Sequence, residues 1–533
     1  MNFFRKLLSE HHGEKVRAHA GLNSNQQVRI PLTNHLHSNL NKIKEIIGNS
    51  SDLIIKEFLI GNGSIQMAVV YTDGLADKNT LDQYVLDPLM IGIKQDAEVS
   101  AELLAHPDPM KLLKESVLTV EGLVDVTDFE ALILAVLSGD CVILMENRDR
   151  AMVAGTRGWE HRGVEEPSAQ SLIRGPREGF TESLRINTAM IRRKIKDPRL
   201  WLESREIGSV TRTEVAVMYL KGIADDSVIE EVRQRLDRID IDGILESGYI
   251  EEYIQDETWS PFPTLLNTER PDVIAAGLLE GRVAIIIGGT PFVLLVPALF
   301  VQYFQSAEDY YQRWDISTLI RLIRYLCFLI TLMGPSLYVA VTTFHQEMIP
   351  TNLLVSLMAQ REGVPFPAFL EALMMEITFE ILREAGVRMP RAVGSAISIV
   401  GTLVIGQAAV QAGIVSAAMV IVVSITAMAS FVIPAYNMAI SIRILRFPLM
   451  ALGATFGLYG IVLGVILIVL HLCSLQSFGV PYMSSLAPFH LSEQKDTLFR
   501  LPRWAMVSRP YSITRKNRRS DEEEDSPTMN NLH

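Results

Sequence analysis

A chain of 533 residues with 48% apolar and 21% charged side chains has a mean hydropathy of +0.21, too apolar for a soluble domain and too charged to be membrane throughout. Its net charge of -12 argues against nucleic-acid binding, which needs clustered cations. The three cysteines, Cys141, Cys327 and Cys473, lie far apart and form neither a metal-ligand spacing nor a disulfide framework.

Charge is dense up to about residue 282, and apolar runs dominate from about 317 to 475. Met1 to Glu10 is too short and too charged for a secretory signal, so the charged half is expected in the cytoplasm. Residues 1–50 are polar and read as a flexible arm. Beyond them the charged half is built twice. "MAVVYTDGLAD" from Met67 matches "VAVMYLKGIAD" from Val215, and "LSGDCVILMENRDRAMVAG" from Leu137 resembles "LEGRVAIIIGGTPFVLLVP" from Leu279. The fold class is therefore α+β: two duplicated α/β-type soluble units, at 51–155 and 199–305, then an all-α polytopic membrane domain at 306–490 and a tail at 491–533. Each unit opens with a β-branched strand pair and closes with a hairpin. The run 283–297 would pass a hydropathy window, but Gly288-Gly289-Thr290-Pro291 in its middle marks a turn between two strands.

Between the units, at 156–198, lies a charged linker with a basic helix. Its Gly175-Pro176-Arg177-Glu178-Gly179 looks at first like a phosphate loop. Pro176 removes one N–H donor, and no Lys follows Gly179, so nucleotide binding is not expected. Thr181 is the expected N-cap of the helix that follows. Arg174, Arg177, Glu178 and Glu182 have the residue types of a paired-charge clamp between domains or subunits. An ordinary solvated linker is the competing reading.

Four apolar runs are long enough to cross a bilayer: about 319–342, 393–412, 414–434 and 449–473. Arg313, Arg321 and Arg324 at the start of the first place the N-terminal half inside. The stretch 366–385 carries Glu376, Glu380, Arg383 and Glu384 on one side of a helical wheel, with Leu370, Met374, Ile377 and Ile381 on an apolar flank. Three readings stay open for it: an interfacial helix, a buried protein–protein seam, or a wall of a water-filled cation path with Glu376 and Glu380 lining it. Ser395, Ser398, Thr402, Gly406 and Ala409 form a small-residue stripe, which suits close helix packing or a narrow pore lining. The number of crossings stays open between four, five and six. His161, His345 and His471 are isolated, and no catalytic, cofactor or metal constellation appears, so an enzyme is not expected.

Several blocks closely resemble the A subunits of GerA-type spore germination receptors. They are "EEPSAQSLIRGPREGFTESLRINTAMIRRKI" from Glu165, "PFPTLLNTERPDVIAAGLLEGR" from Pro261, "TTFHQEMIPTNLL" from Thr342, and the long block from Arg361 that begins "REGVPFPAFLEALMMEITFEILREAGVRMPRAVGSAISIV". One departure is Gly288-Gly289-Thr290-Pro291, where Asp-Gly-Thr-Pro is expected. The resemblance implies a homo-oligomeric ring, a pentamer, in the spore inner membrane. It implies a nutrient-gated path for monovalent cations. It also implies a transporter-like B subunit that senses the nutrient, and a lipoprotein C subunit. The alternatives are a secondary transporter, against which the absence of a repeat in the apolar half counts, and a membrane scaffold for the B subunit.

Overall fold

The computed structural model describes residues 30–60, 63–93, 97–120, 122–158, 167, 170, 172–388, 406–490, 493–506, 509–510 and 512–514. The chain divides into two compact units. One comprises Met1–Gln255, Leu265–Pro297 and Val507–His533; the other comprises Asp256–Thr264 and Ala298–Met506.

The first unit repeats one mixed α/β plan. Helix α1 (Leu36–Ile47) buries Leu36, Leu40, Ile43 and Ile47, spaced by four, three and four residues, and stops at Gly48, whose φ of 72° suits glycine. This corrects the expectation of a flexible arm for residues 36–47. The apolar spacing outweighs the polar composition around it. Strands β1 (Leu53–Ile60) and β2 (Ile65–Thr72) pair antiparallel from Leu53↔Thr72 to Ile60↔Ile65. Short helical turns from Lys78–Leu81 to Leu113–Val117 follow, then β3 (Val124–Val126), α2 (Phe129–Leu137), β4 (Cys141–Met145) and β5 (Ala151–Ala154). Asp128 starts α2 by accepting the Ala131 N–H at 2.8 Å.

The sheet order is β1-β2-β4-β5-β3. Helices α1 and α2 cover the face carrying Ala68, Val70, Val142 and Leu144. The short turns cover the face carrying Met67, Val69, Ile143 and Met145. With both faces buried, the central strands are apolar without alternation.

The second copy follows: α3 (Leu184–Lys194), β6 (Leu200–Ile207), β7 (Thr213–Leu220), α4 (Asp226–Asp237), α5 (Ser247–Ile254), β8 (Leu266–Thr268), α6 (Pro271–Leu279), β9 (Val283–Ile287) and β10 (Val293–Val296). Its sheet runs β6-β7-β9-β10-β8, the same order position by position. The apolar run at 283–297 is thus a strand hairpin, with Leu294 opposite Ile285. The helix before each sheet belongs to the plan as well. Asn39 accepts the Thr33 N–H at 3.0 Å and donates to its carbonyl at 2.6 Å. Asn187 does the same for Thr181 at 2.7 and 2.6 Å. Thr181 is therefore not the N-cap of α3, a position held by Ser183. The repeat also begins ahead of residues 51 and 199, because α1 and α3 cover their sheets in matching places.

The second unit is helical. It contains α7 (Trp314–Thr343), α8 (Thr351–Arg361), α9 (Ala368–Arg388), a six-residue helix at Gly406–Gln411, α10 (Ala417–Phe431) and α11 (Tyr436–Ser474). By length and composition, α7 and α11 are apolar enough to cross a membrane.

Helix α11 is not one rod. Gly457 has φ 61° and ψ -143°. A Cβ on Gly460 would fall 2.3 Å from the Leu452 carbonyl oxygen, and one on Gly464 would fall 2.6 Å from the Leu449 side chain. In an unbroken helix eight residues span about 12 Å, so these contacts require the chain to fold back. Two antiparallel arms, 436–456 and 458–474, meet through small residues. The run 449–473, expected as a single crossing, is split at Gly457, because an apolar run looks the same whether it continues or reverses. A Cβ on Gly457 would meet the His345 ring at 2.6 Å, just past the end of α7. The expected run at 393–412 lies mostly outside the described residues.

Candidate functional site

Three charge constellations stand out among the described residues, one in the α/β unit and two in the helical unit. In the first unit the expected clamp residues take modest places. Arg174 and Arg177 are exposed. Glu178 pairs with Lys194 at 3.1 Å and Arg193 at 3.7 Å, both on the helix that follows it. Glu182 offers its backbone carbonyl to the Gly289 N–H at 2.8 Å.

The tie between the two copies is made by Arg192, on the helix that the sequence marked only as basic. Its Nε and Nη2 donate to the two Asp52 oxygens at 2.7 and 2.9 Å, and Nη1 donates to the Leu200 carbonyl at 2.7 Å. Both side chains are buried. Such a two-point fork fixes geometry as well as charge. Around it, Ser51 N–H donates to the Leu202 carbonyl at 3.2 Å, and Arg185 meets Asp73 at 3.1 Å. Gly48 lies against Trp201, where a Cβ would stand 2.0 Å from the indole.

The glycine-flanked loop is held by its carbonyls. Arg270 donates to the oxygens of Pro176 at 2.9 Å and Gln170 at 3.3 Å, and its charge is answered by Asp272 at 2.7 Å. A phosphate cradle works through N–H groups aimed inward. Here a guanidinium reads the opposite end of the peptide.

In the helical unit, α9 and α11 face each other through matched charges. Glu376 and Glu380 lie one turn apart on α9, and Arg443 and Arg446 lie one turn apart on the first arm of α11. Glu376 meets Arg446 at 2.6 Å, with both side chains enclosed. Glu380 meets Arg443 at 3.3 Å, Arg383 at 3.4 Å and Arg446 at 3.6 Å. One turn earlier Glu371, also buried, accepts the N–H and hydroxyl of Ser416 at 3.0 and 2.9 Å and meets Arg361 at 3.3 Å. Ser416 opens α10, so this carboxylate also sits at a helix N-terminus, where negative charge is favoured. The α9 stripe was visible on a helical wheel. Its partners were not, because they lie some 60 residues away. Ser395, Ser398, Thr402 and His161 lie outside the described residues.

A third cluster closes the start of α7. Buried Asp309 takes Arg321 at 2.9 Å and Arg324 at 2.7 Å, and Arg321 also takes Asp496 at 2.9 Å. The pair Arg321 and Arg324, read from sequence as topology signals, thus also hold the loop before α7 and the segment after α11.

The comparisons with known proteins bear on the whole chain. Residues 41–512 match the family model described as Bacillus/Clostridium GerA spore germination protein. Spore germination protein KA of Bacillus subtilis is 54% identical over 91% of this chain and 87% of its own. Spore germination protein GerLA of Bacillus cereus is 40% identical over 92% and 97%. A solved structure, the N-terminal domain of the A subunit of the Bacillus megaterium spore germinant receptor GerK3, is 41% identical, covers 51% of this chain and 99% of its own, and superposes with a TM-score of 0.41. With matches of this extent and identity, the chain belongs to the GerA family of spore germination proteins.

Proposed function

We propose that the chain is the A subunit of a nutrient germinant receptor, and that several copies surround a shared axis to form a ligand-gated path for monovalent cations in the spore inner membrane. One observation carries the membrane reading. Away from its helix ends, the helical unit buries charged side chains and exposes apolar ones. Arg321, Arg324, Glu371, Glu376, Arg443 and Arg446 are buried, while Leu319, Ile421, Leu467 and Leu470 are more than half exposed. A water-soluble domain does the reverse. In hydrocarbon, charged groups turn inward and pair.

The arginines of this unit also favour one end. Arg313, Arg321 and Arg324 start α7, Arg383 and Arg388 end α9, and Arg443 and Arg446 lie near the start of α11. The positive-inside rule supports a cytoplasmic place for that end.

Few helices per copy are too few to enclose an aqueous conduit, which supports a ring; a pentamer is the size that the family resemblance implies. Glu376 and Glu380, with Ser395, Ser398 and Thr402, are the proposed lining. Paired with Arg446 and Arg443, the two carboxylates offer little to a cation, so the arrangement suits a resting, closed path. A transporter-like B subunit and a lipoprotein C subunit complete the receptor, with nutrient recognition residing in the B subunit. Potassium release from spores exposed to a nutrient mixture tests this reading. Replacing both carboxylates by Gln should alter the release while the receptor still accumulates. Unchanged release would remove them from the path and favour a scaffold for the B subunit.

A further inference from the structure

A nine-residue loop, 256–264, interrupts the second α/β copy between α5 and β8, yet belongs to the helical unit. It is pinned there at five points. Asp256 accepts the Phe478 N–H at 3.0 Å, and Ser260 Oγ meets His471 Nε2 at 2.9 Å. Ser441 Oγ donates to the Pro261 carbonyl. Tyr303 donates to the Pro263 carbonyl at 2.9 Å, and Ser477 to the Thr264 carbonyl at 2.7 Å. Phe262 is buried. From this rigid loop Trp259 projects with 95% of its surface exposed. Tryptophan is highly buried on average, so a fixed and bare indole points to something outside the chain.

The end of the bundle at which Trp259 lies points to what that is. Ser441 and His471 lie near the open ends of the two α11 arms, away from the turn at Gly457. The end of α7 meets that turn, so the start of α7, Trp314, lies at the same end as Trp259. Tyr436 opens α11 at this end too, with Arg383 of α9 over its ring. Trp504 follows Arg500, whose N–H bonds Thr318 in the second turn of α7 at 3.1 Å.

All four rings are exposed. They come from four separate segments, and among the described residues no ring contact joins any two of them. What they share is an end of the bundle, the one away from Gly457, and Leu319, Leu322 and Leu326 are exposed on α7. Arg313, Arg388 and Arg503 are exposed as well. Amphipathic rings with interspersed guanidiniums, next to an apolar surface, suit the phospholipid headgroup layer.

We propose that loop 256–264 is a membrane-interface anchor that seats Trp259 among phospholipid headgroups, at the end of the bundle that also carries Trp314, Tyr436 and Trp504. This rests on the membrane reading above. The test uses the full-length chain in phosphatidylcholine–phosphatidylglycerol vesicles whose acyl chains carry bromine at shallow or at deep positions. Shallow bromines should quench tryptophan emission more than deep ones. Trp259→Phe, a conservative change at an exposed ring, should lose part of the shallow quenching and none of the deep. A variant with the wild-type quenching profile overturns the anchor. So does a Trp259 emission that moves only when the other receptor subunits are added, since that assigns the ring to a protein partner. A chain that fails to float with the vesicles would instead overturn the membrane reading itself.

Discussion

Glu376 of α9 and Arg446 of α11 stand 2.6 Å apart with both side chains enclosed. A buried pair of this kind adds little net stability over an apolar pair, but breaking it by removing one partner leaves an uncompensated charge. Arg446→Ala should therefore destabilise the chain by about 3–5 kcal/mol. The swap Glu376→Arg with Arg446→Glu should recover part of the loss. Thermal unfolding of the detergent-solubilised chain checks both. A swap no better than its worse single variant would show that the pairing is not what the site needs.

Arg192 should matter more to the α/β unit than the exposed arginines of the neighbouring loop. Arg192→Ala strands Asp52 and should cost about 3–5 kcal/mol by the same logic. Arg192→Lys keeps the charge but loses the two-point fork, so it should fall between. Arg177→Ala should cost less in unfolding than Arg192→Ala and lower receptor accumulation in spores, as expected of a contact with a neighbouring subunit. Unfolding midpoints in urea separate these outcomes.

Acidity should act on the α/β unit through Glu251. Burial pushes its carboxyl up to about 7 from a usual 4.5, and nearby Glu246 and Glu252 add to the rise against the Asn267 amide. Between those values the folded state holds a proton that the unfolded state has lost. Stability is thus fully present below about 4.5 and declines as pH rises through about 7. Melting temperatures from pH 5 to pH 8 should fall in the wild type. Glu251→Gln should flatten that decline.

Gly457 should tolerate no side chain. Its φ of 61° with ψ of -143° lies in a region other residues rarely adopt, at a cost of about 1–3 kcal/mol. Its Cβ would also collide with the His345 ring at 2.6 Å. Gly457→Val should sharply reduce accumulation of the folded chain. Gly363→Ala, at a position with open space around it, should not. Immunoblots of both variants give the comparison.

The sheets were legible because their strands are short apolar runs bounded by turn glycines, and because the second copy echoes the first. Helix α1 was hidden by its Asn, His and Lys content, although Leu36, Leu40, Ile43 and Ile47 carry the helical spacing. The carboxylate stripe of α9 was legible as a stripe. Its meaning was not, since Arg443 and Arg446 reach it only once α11 is folded. Asp52 and Arg192 are 140 residues apart, a distance over which periodicity says nothing. The reversal at Gly457 was equally silent, because its flanks are apolar on both sides.

The central claim is that function arises only when several copies surround a shared axis. Single-particle imaging of the purified full-length chain in lipid nanodiscs addresses it most directly. The account predicts a closed ring with a central hole. Particles that stay monomeric in lipid, and remain so beside the other receptor subunits, would contradict it.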